Sequence, residues 1–307
     1  MGLGYPEYGR LRTVLMHAPG KELDLVGPQK YERYLFADAV DSEEFRRQHE
    51  RFIDALRSEG VNVVLVTEVL RQQPDLLNSI ERLPNLVYTR DTVAVTRAGY
   101  VLARMGNPVR RNETKIVEAT LRQLAIPMLM KTQAPATIEG GDLVFFDDDT
   151  ILLGVGNRTN KRGLRELTTT ATKSGLRRVV AVQLPSWVLH LDGTMMVIDR
   201  DLAVVHARSL RGTASVFEKG RPSKRLRFLE FLNASGMRLI EVTDYERQKR
   251  ATNVIAIGPR KVVGYAGNAR VRREFSENGV DFIEIEGSEL IRGFGGPRCM
   301  TAPILRD

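Results

Sequence analysis

The chain has 307 residues, 42% hydrophobic and 27% charged, with one cysteine, four histidines and one tryptophan, which excludes a collagen-like, disulfide-stapled or mainly disordered protein. A net charge of +8 favours contact with anions, but no aromatic residues interleave with the bases as a nucleic-acid stacking platform requires. No apolar run reaches the roughly 18 residues of a membrane span, and the N-terminus lacks a signal-peptide core. The expectation is a cytoplasmic protein with neither membrane nor nucleic-acid partner. One cysteine makes no internal disulfide and no Cys-rich zinc site, so Cys299 is either an inert core thiol or a nucleophile.

In chain order, an apolar run at 13–17 (TVLMH) leads to a helix over Ser42–Ser58, which sets Phe45, Phe52, Ile53 and Leu56 on one face, and then to a strand at 61–66. The pattern returns with a run at 100–106, a helix at 112–124 and a strand at 126–130, and again at 151–156, 161–174 and 178–182. A fourth copy comprises 202–206, a helix at 222–235 and a strand at 237–242; a fifth comprises 262–267, 271–278 and 280–285. The period alternates between strand and amphipathic helix. Gly60, Gly175, Gly236 and Gly279 stand where a helix C-terminus takes a left-handed residue. The longest basic run, KGRPSKRLR at 219–227, is placed on the solvated face of the fourth helix. Gly106-Asn107, Gly156-Asn157 and Gly267-Asn268 read as turns with positive φ. His17, His49 and His206 read as structural, His49 on a charged helix face. Five similar units that cannot bury their faces alone are expected to close into a ring, an α/β single domain over residues 1–307.

Polar motifs stand where the units begin: NLVYTRD at 85–91, IEGGD at 138–142, HLDG at 190–193, ATN at 251–253 and GFGGPRCM at 293–300. In a ring, equivalent positions converge, so Asp91, Glu139, His190, Asp192 and Cys299 are expected to share one cavity. A thiolate attacks electron-poor carbon, and a histidine moves protons near neutrality. Several carboxylates in one cavity need a cation. A metal has no short ligand spacing here; a planar substrate guanidinium suits carboxylate pairs.

These motifs, with EGGDLVFF, LLGVGNRTN, ELIRGFGGPRCMTAPILRD and the opening TVLMHAPGKELDLV, resemble arginine deiminase of the guanidine-modifying, or pentein, superfamily. The likeness runs from about Leu11 to Asp307. It implies a five-bladed ββαβ propeller with pseudo-fivefold symmetry and no metal or organic cofactor. Cys299 is then the nucleophile, His190 the general acid and base, and Glu139 its carboxylate partner. Asp91 and Asp192 clamp the guanidinium. Asn85, Arg110 and Arg158 match positions holding the α-amino-acid end, and Tyr88 and Phe294 join the substrate-binding set. The implied reaction passes through a covalent thiouronium on Cys299 and takes L-arginine and water to citrulline and ammonia. An assembly of identical subunits is also implied.

Taken alone, each residue has a plainer reading: Cys299 and His190 as core residues, Glu139 and Asp142 as turn formers, Asp91 as a surface partner of Arg90 or Arg104, and Arg158 as a solvated loop arginine. Arg110 and Arg111 compete for one role. The chain also departs from the family pattern. The stretch from Asp24 to Pro84 is too short for the inserted helical module of many arginine deiminases, as in dimethylarginine dimethylaminohydrolase. Phe294 stands where an arginine is usual, and Thr194, Met195 and Met196 follow HLDG. The alternatives are an arginine dihydrolase making ornithine, a dimethylarginine dimethylaminohydrolase-like hydrolase, an amidinotransferase, or a non-catalytic ribosome- or RNA-binding propeller.

Overall fold

The apolar runs become strands buried along their whole length: Gly99–Leu102, Thr150–Val155 and Leu202–Val205 have no exposed residue. Burial on both faces is why they read as continuous apolar segments and do not alternate. The computed structural model describes residues 2–4 and 6–307. Five sheets share one plan. In each, a leading strand pairs antiparallel with a central strand, and the chain returns through a helix to a parallel third strand. The parallel pairs are Leu11–Met16 with Asn62–Leu65, Gly99–Leu102 with Met128–Lys131, Thr150–Val155 with Arg178–Gln183, Leu202–Val205 with Arg238–Glu241, and Lys261–Tyr265 with Asp281–Ile285.

Four leading strands come directly before their partners: Val93–Thr96, Leu143–Phe145, Met195–Asp199 and Ile255–Gly258. The first sheet takes its antiparallel strand, Ala302–Arg306, from the far end of the chain. The last residues thus close the pseudo-fivefold arrangement and bring the segment before them to the place held by the other four turns.

The helix Ser42–Ser58 has the expected bounds. Asp41 caps it, its side chain accepting from Glu43 and Glu44 N–H at 3.0 Å each. Phe45, Phe52, Ile53 and Leu56 are buried. Gly60, Gly175, Gly236 and Gly279 all have positive φ, as their positions after helices require. His49 departs from expectation: it is buried against Phe52 with ring centres 6.3 Å apart, and burial lowers its pKa to about 3. Of the three Gly-Asn turns, only Gly267 has positive φ. Gly106 is instead needed for close approach, because a Cβ there would lie 3.0 Å from the Arg158 carbonyl oxygen.

The fourth helix is the main correction. Only Phe228–Ala234 is helical. The basic run lies in a hairpin of Thr213–Glu218 with Lys224–Arg227, which widens the third sheet to five strands. Pro222 cannot donate a helical hydrogen bond, and Lys224–Arg227 forms a mostly exposed, positively charged sheet edge. Charged residues on an edge strand discourage pairing with another chain.

Candidate active site

Each polar motif occupies the turn just ahead of a leading strand. Asp91 lies in the helical turn Thr89–Thr92, Glu139 precedes the turn Gly140–Asp142, and His190 precedes the turn Leu191–Gly193, which holds Asp192. Asn253 stands before Ile255–Gly258, and Cys299 before Ala302–Arg306. Equivalent points of five units therefore meet around a narrow cavity of about 30 Å³.

Asp91, Glu139 and His190 converge, with ligand atoms all within 4.8 Å of one another. His190 Nε2 is 2.7 Å from Glu139 Oε2, and Nδ1 is 3.7 Å from Asp91 Oδ1. Glu139 Oε1 also accepts from Gly106 N–H at 2.8 Å, and Arg158 Nη1 donates to both Glu139 oxygens at 3.3 and 3.2 Å. Asp91 Oδ2 accepts from Arg110 Nη1 at 2.6 Å. Asp91 Oδ1 is buried without a hydrogen-bond partner. This set could hold a metal, but most of its oxygens are occupied. One free carboxylate oxygen suits an N–H donor better than a coordination shell.

Electrostatics set the protons. Burial by itself lowers the His190 pKa, but Asp91 and the hydrogen bond to Glu139 outweigh it and raise it to about 9. Burial raises Glu139, yet His190, Arg158 and Arg110 hold it at about 2. The pair is an imidazolium on a carboxylate. Asp142 links the second and third turns by accepting from Leu191 N–H at 3.1 Å, and burial pushes its carboxyl up to about 7.

Gly141 lets the turn press against the ring. A Cβ there would stand 2.7 Å from His190 Nδ1 and 2.8 Å from Asp91 Oδ1. Gly141→Ala is expected to displace both groups and lower kcat by about 10²-fold, the cost of an ångström-scale misplacement. Steady-state turnover of a guanidine substrate checks this, and a kcat within threefold of wild type would contradict it.

Asn85, Tyr88, Asp91, Arg110, Arg158, His190, Phe294 and Cys299 line the cavity, while Glu139 and Asp192 stand behind it. Arg110 is buried and paired with Asp91 and Glu113, whereas Arg111 is exposed, which resolves their competition. Arg104 and Arg90 make no ion pair with Asp91 among the described residues; Asp91 is buried, not on the surface. Asn85 Nδ2 donates to the Tyr34 carbonyl at 2.7 Å. Tyr88 lies under the loop of Gly293 and Gly295, where any Cβ would overlap its ring or hydroxyl. Phe294 is 45% exposed and left-handed at φ 73°.

The covalent thiouronium step on Cys299 is corrected at this point. The sulfur touches the cavity but is not a member of the converging Asp91–Glu139–His190 set. Its thiol donates to Asp192 Oδ2 over 3.7 Å. Burial, then the charges of Asp192 and Asp91, push its pKa up. The site thus holds a protonated thiol, not the thiolate that nucleophilic attack needs. What the geometry supports is hydrolysis of a guanidine group by the acid–base set.

Arg298, passed over in the motif GGPRCM, organises the rear wall. It is fully buried and donates to Asp192 Oδ2 at 2.9 Å, Glu7 Oε1 at 2.6 Å and the Leu143 carbonyl at 2.7 Å. Asn253, in the ATN segment at the start of the fifth unit, joins the same wall. Its Nδ2 donates to the Asp192 carbonyl at 3.2 Å, and its Oδ1 accepts from Cys299 N–H at 3.3 Å. The signal for both was position: each lies in a turn equivalent to those holding Asp91 and His190.

A family model described as arginine deiminase matches residues 76–306. The chain belongs to the arginine deiminase family. Among curated relatives, arginine deiminase of Listeria welshimeri is 25% identical over 397 aligned positions, covering 98% of this chain and 97% of the relative. That of Streptococcus equi subsp. equi is 26% identical and covers 99% and 97%. Because 397 positions are needed to align a 307-residue chain, these arginine deiminases carry segments that this compact member lacks. Among solved structures, DDAH from Pseudomonas aeruginosa complexed with citrulline superposes with a TM-score of 0.74 at 24% identity, covering 96% of this chain and 99% of that one. The N-terminal domain of ArgZ, an arginine dihydrolase from cyanobacteria, gives 0.74 at 15%, covering 96% and 97%. At these identities the two structures show the shared pentein fold. Among the described residues no helix is long and apolar enough to cross a membrane.

Proposed function

We propose that residues 1–307 act as a single catalytic unit, an amidine hydrolase of the arginine deiminase type that cleaves a C–N bond of a guanidino compound. The observation that carries this reading is the unpartnered Asp91 Oδ1 beside protonated His190 in a buried cavity. A guanidinium is planar, permanently charged and rich in N–H donors, so it fits a free carboxylate oxygen. His190 carries the proton that the departing nitrogen needs. Glu139 keeps the ring oriented through Nε2 and stabilises its positive charge. In the overall balance, the oxygen of water ends on the central carbon and one nitrogen leaves as ammonia.

Arg110, Arg158, Asn85, Tyr88 and Phe294 shape the remainder of the substrate site in this reading, with Cys299 and Asp192 at its base, and a cytoplasmic location accords with it. Incubation with L-arginine followed by mass spectrometry is expected to show citrulline and ammonia, both formed far more slowly with His190→Gln. Ornithine would identify a dihydrolase. Release of neither ammonia nor a methylated amine from L-arginine, agmatine or methylated arginines would refute the hydrolase reading.

A further inference from the structure

We propose that Arg250 is the anion-recognition residue of this site, receiving a substrate carboxylate at the end opposite the guanidinium. This rests on the proposed hydrolase function and adds a specificity-determining residue to its site.

Arg250 lies in the loop between the helix Asp244–Gln248 and the strand Ile255–Gly258. Its guanidinium carbon is 4.3 Å from the centre of the Phe294 ring, and Phe294 forms part of the cavity wall. Both residues are left-handed, with φ of 59° and 73°. Non-glycine residues adopt that conformation only where the surrounding structure holds them in it. The two strained residues face one another, and the cation–π contact fixes the guanidinium at the rim.

The two arginines that line the cavity are already neutralised. Arg110 is paired with Asp91 and Glu113, and Arg158 with Glu139. Arg250 makes no ion pair among the described residues, and its Nε is buried without a hydrogen-bond partner. Burial lowers its pKa, and the groups that pull it back up are Cys299, Tyr265, Tyr88 and Asp192. Cys299 and Tyr88 belong to the cavity, so this cation is coupled electrostatically to the site. A half-buried guanidinium whose Nε is shut off from water and unpaired is stabilised when an anion completes it. A carboxylate matches its planar fork.

Nearby charge favours the same ligand. Arg247 acts on Arg250 electrostatically and has a buried, unpartnered Nε of its own. With Arg208, it flanks exposed Trp187 at 5.0 and 5.8 Å from the ring centre. A positive rim draws in a substrate with an anionic end. Small guanidines and amine-terminated ones lack that group.

The test compares L-arginine with agmatine, which has the guanidinium without the carboxylate, on wild type and Arg250→Gln. Wild type is expected to prefer L-arginine. The variant is expected to raise KM for L-arginine about 10- to 100-fold, the worth of one charged hydrogen bond, with kcat and all agmatine parameters within twofold. Arg250→Lys keeps the charge without the fork and should fall between; it also serves if the glutamine variant does not fold. Equal losses on both substrates would assign Arg250 a structural role and overturn the inference. Wild-type turnover of agmatine without preference for L-arginine would overturn it and leave the hydrolase reading intact. No turnover of either overturns the inference, and no turnover of methylated arginines as well overturns the hydrolase reading with it.

Discussion

His190→Gln lowers kcat on a guanidine substrate by about 10²–10⁴-fold, the usual worth of a positioned acid–base group, or about 3–5 kcal/mol on the barrier. The ring faces the cavity and carries a proton through neutral pH. Burial alone would strip that proton, but Asp91 and Glu139 hold it to about pH 9. Two consequences follow in pH. An acid must be protonated, so kcat/KM, which reports the free enzyme, should be level near neutrality and fall tenfold per unit above about 9. In stability, the folded value exceeds the ordinary 6.5, so the imidazolium's contribution is complete below 6.5 and is lost as pH rises through about 9. A pH profile still level at pH 10, or a glutamine variant within tenfold of wild type, would remove His190 from this role. Near-ultraviolet circular dichroism separates a lost proton donor from a lost fold.

Arg298→Leu is expected to cost about 3–5 kcal/mol of folding stability, because breaking a buried ion pair from one side leaves uncompensated charge. Here two carboxylates, Glu7 and Asp192, lose their partner at once. The Leu143 carbonyl loses its donor as well. Burial pushes the Glu7 carboxyl up, and Arg298, Arg90 and Arg306 together hold it at about 2. A depressed value stabilises the folded state above the ordinary 4.5 and loses that contribution as pH falls through about 2. The leucine variant should therefore unfold at a higher pH than wild type on acid titration. Glu7→Gln combined with Arg298→Leu should recover part of the loss, since removing both members spares the unpaired charge. Urea midpoints measure all three proteins. A cost below about 1 kcal/mol for the single variant would mean that Arg90 and Arg306 compensate fully.

The repeat made much of the fold legible. Leu202–Val205 and Thr150–Val155 are short apolar runs flanked by turns, and a segment buried on both faces leaves that trace in any sequence. The helix Ser42–Ser58 carries its cap, its stripe and its stop locally. The hairpin over Thr213–Arg227 was misread because KRLR followed by FLEFL mimics helical periodicity; pairing with Arg178–Gln183 and the break at Pro222 override it. His49 was misplaced for a related reason. A helix pattern ranks faces by their average polarity, while the fold buries one polar ring among apolar neighbours.

At the site, residue types and their places at the start of each unit were readable from the chain, because a repeated unit puts equivalent turns in equivalent positions. Partners and protons were not. Arg110 and Arg158 look alike as loop arginines, and only distance shows that each is consumed by a carboxylate. Arg250, in an unremarked loop, makes no ion pair among the described residues. Cys299 sits in a motif that suggests a nucleophile, yet burial beside Asp192 and Asp91 keeps its thiol protonated. Five apolar strand–helix–strand units and the turns that bear the chemistry can be read along the chain, since hydrophobic periodicity and turn preferences are local. Tertiary structure alone decided which charges meet and where the protons reside, because those depend on distances between residues 51 positions apart, as for Glu139 and His190, and on how completely water is excluded around them.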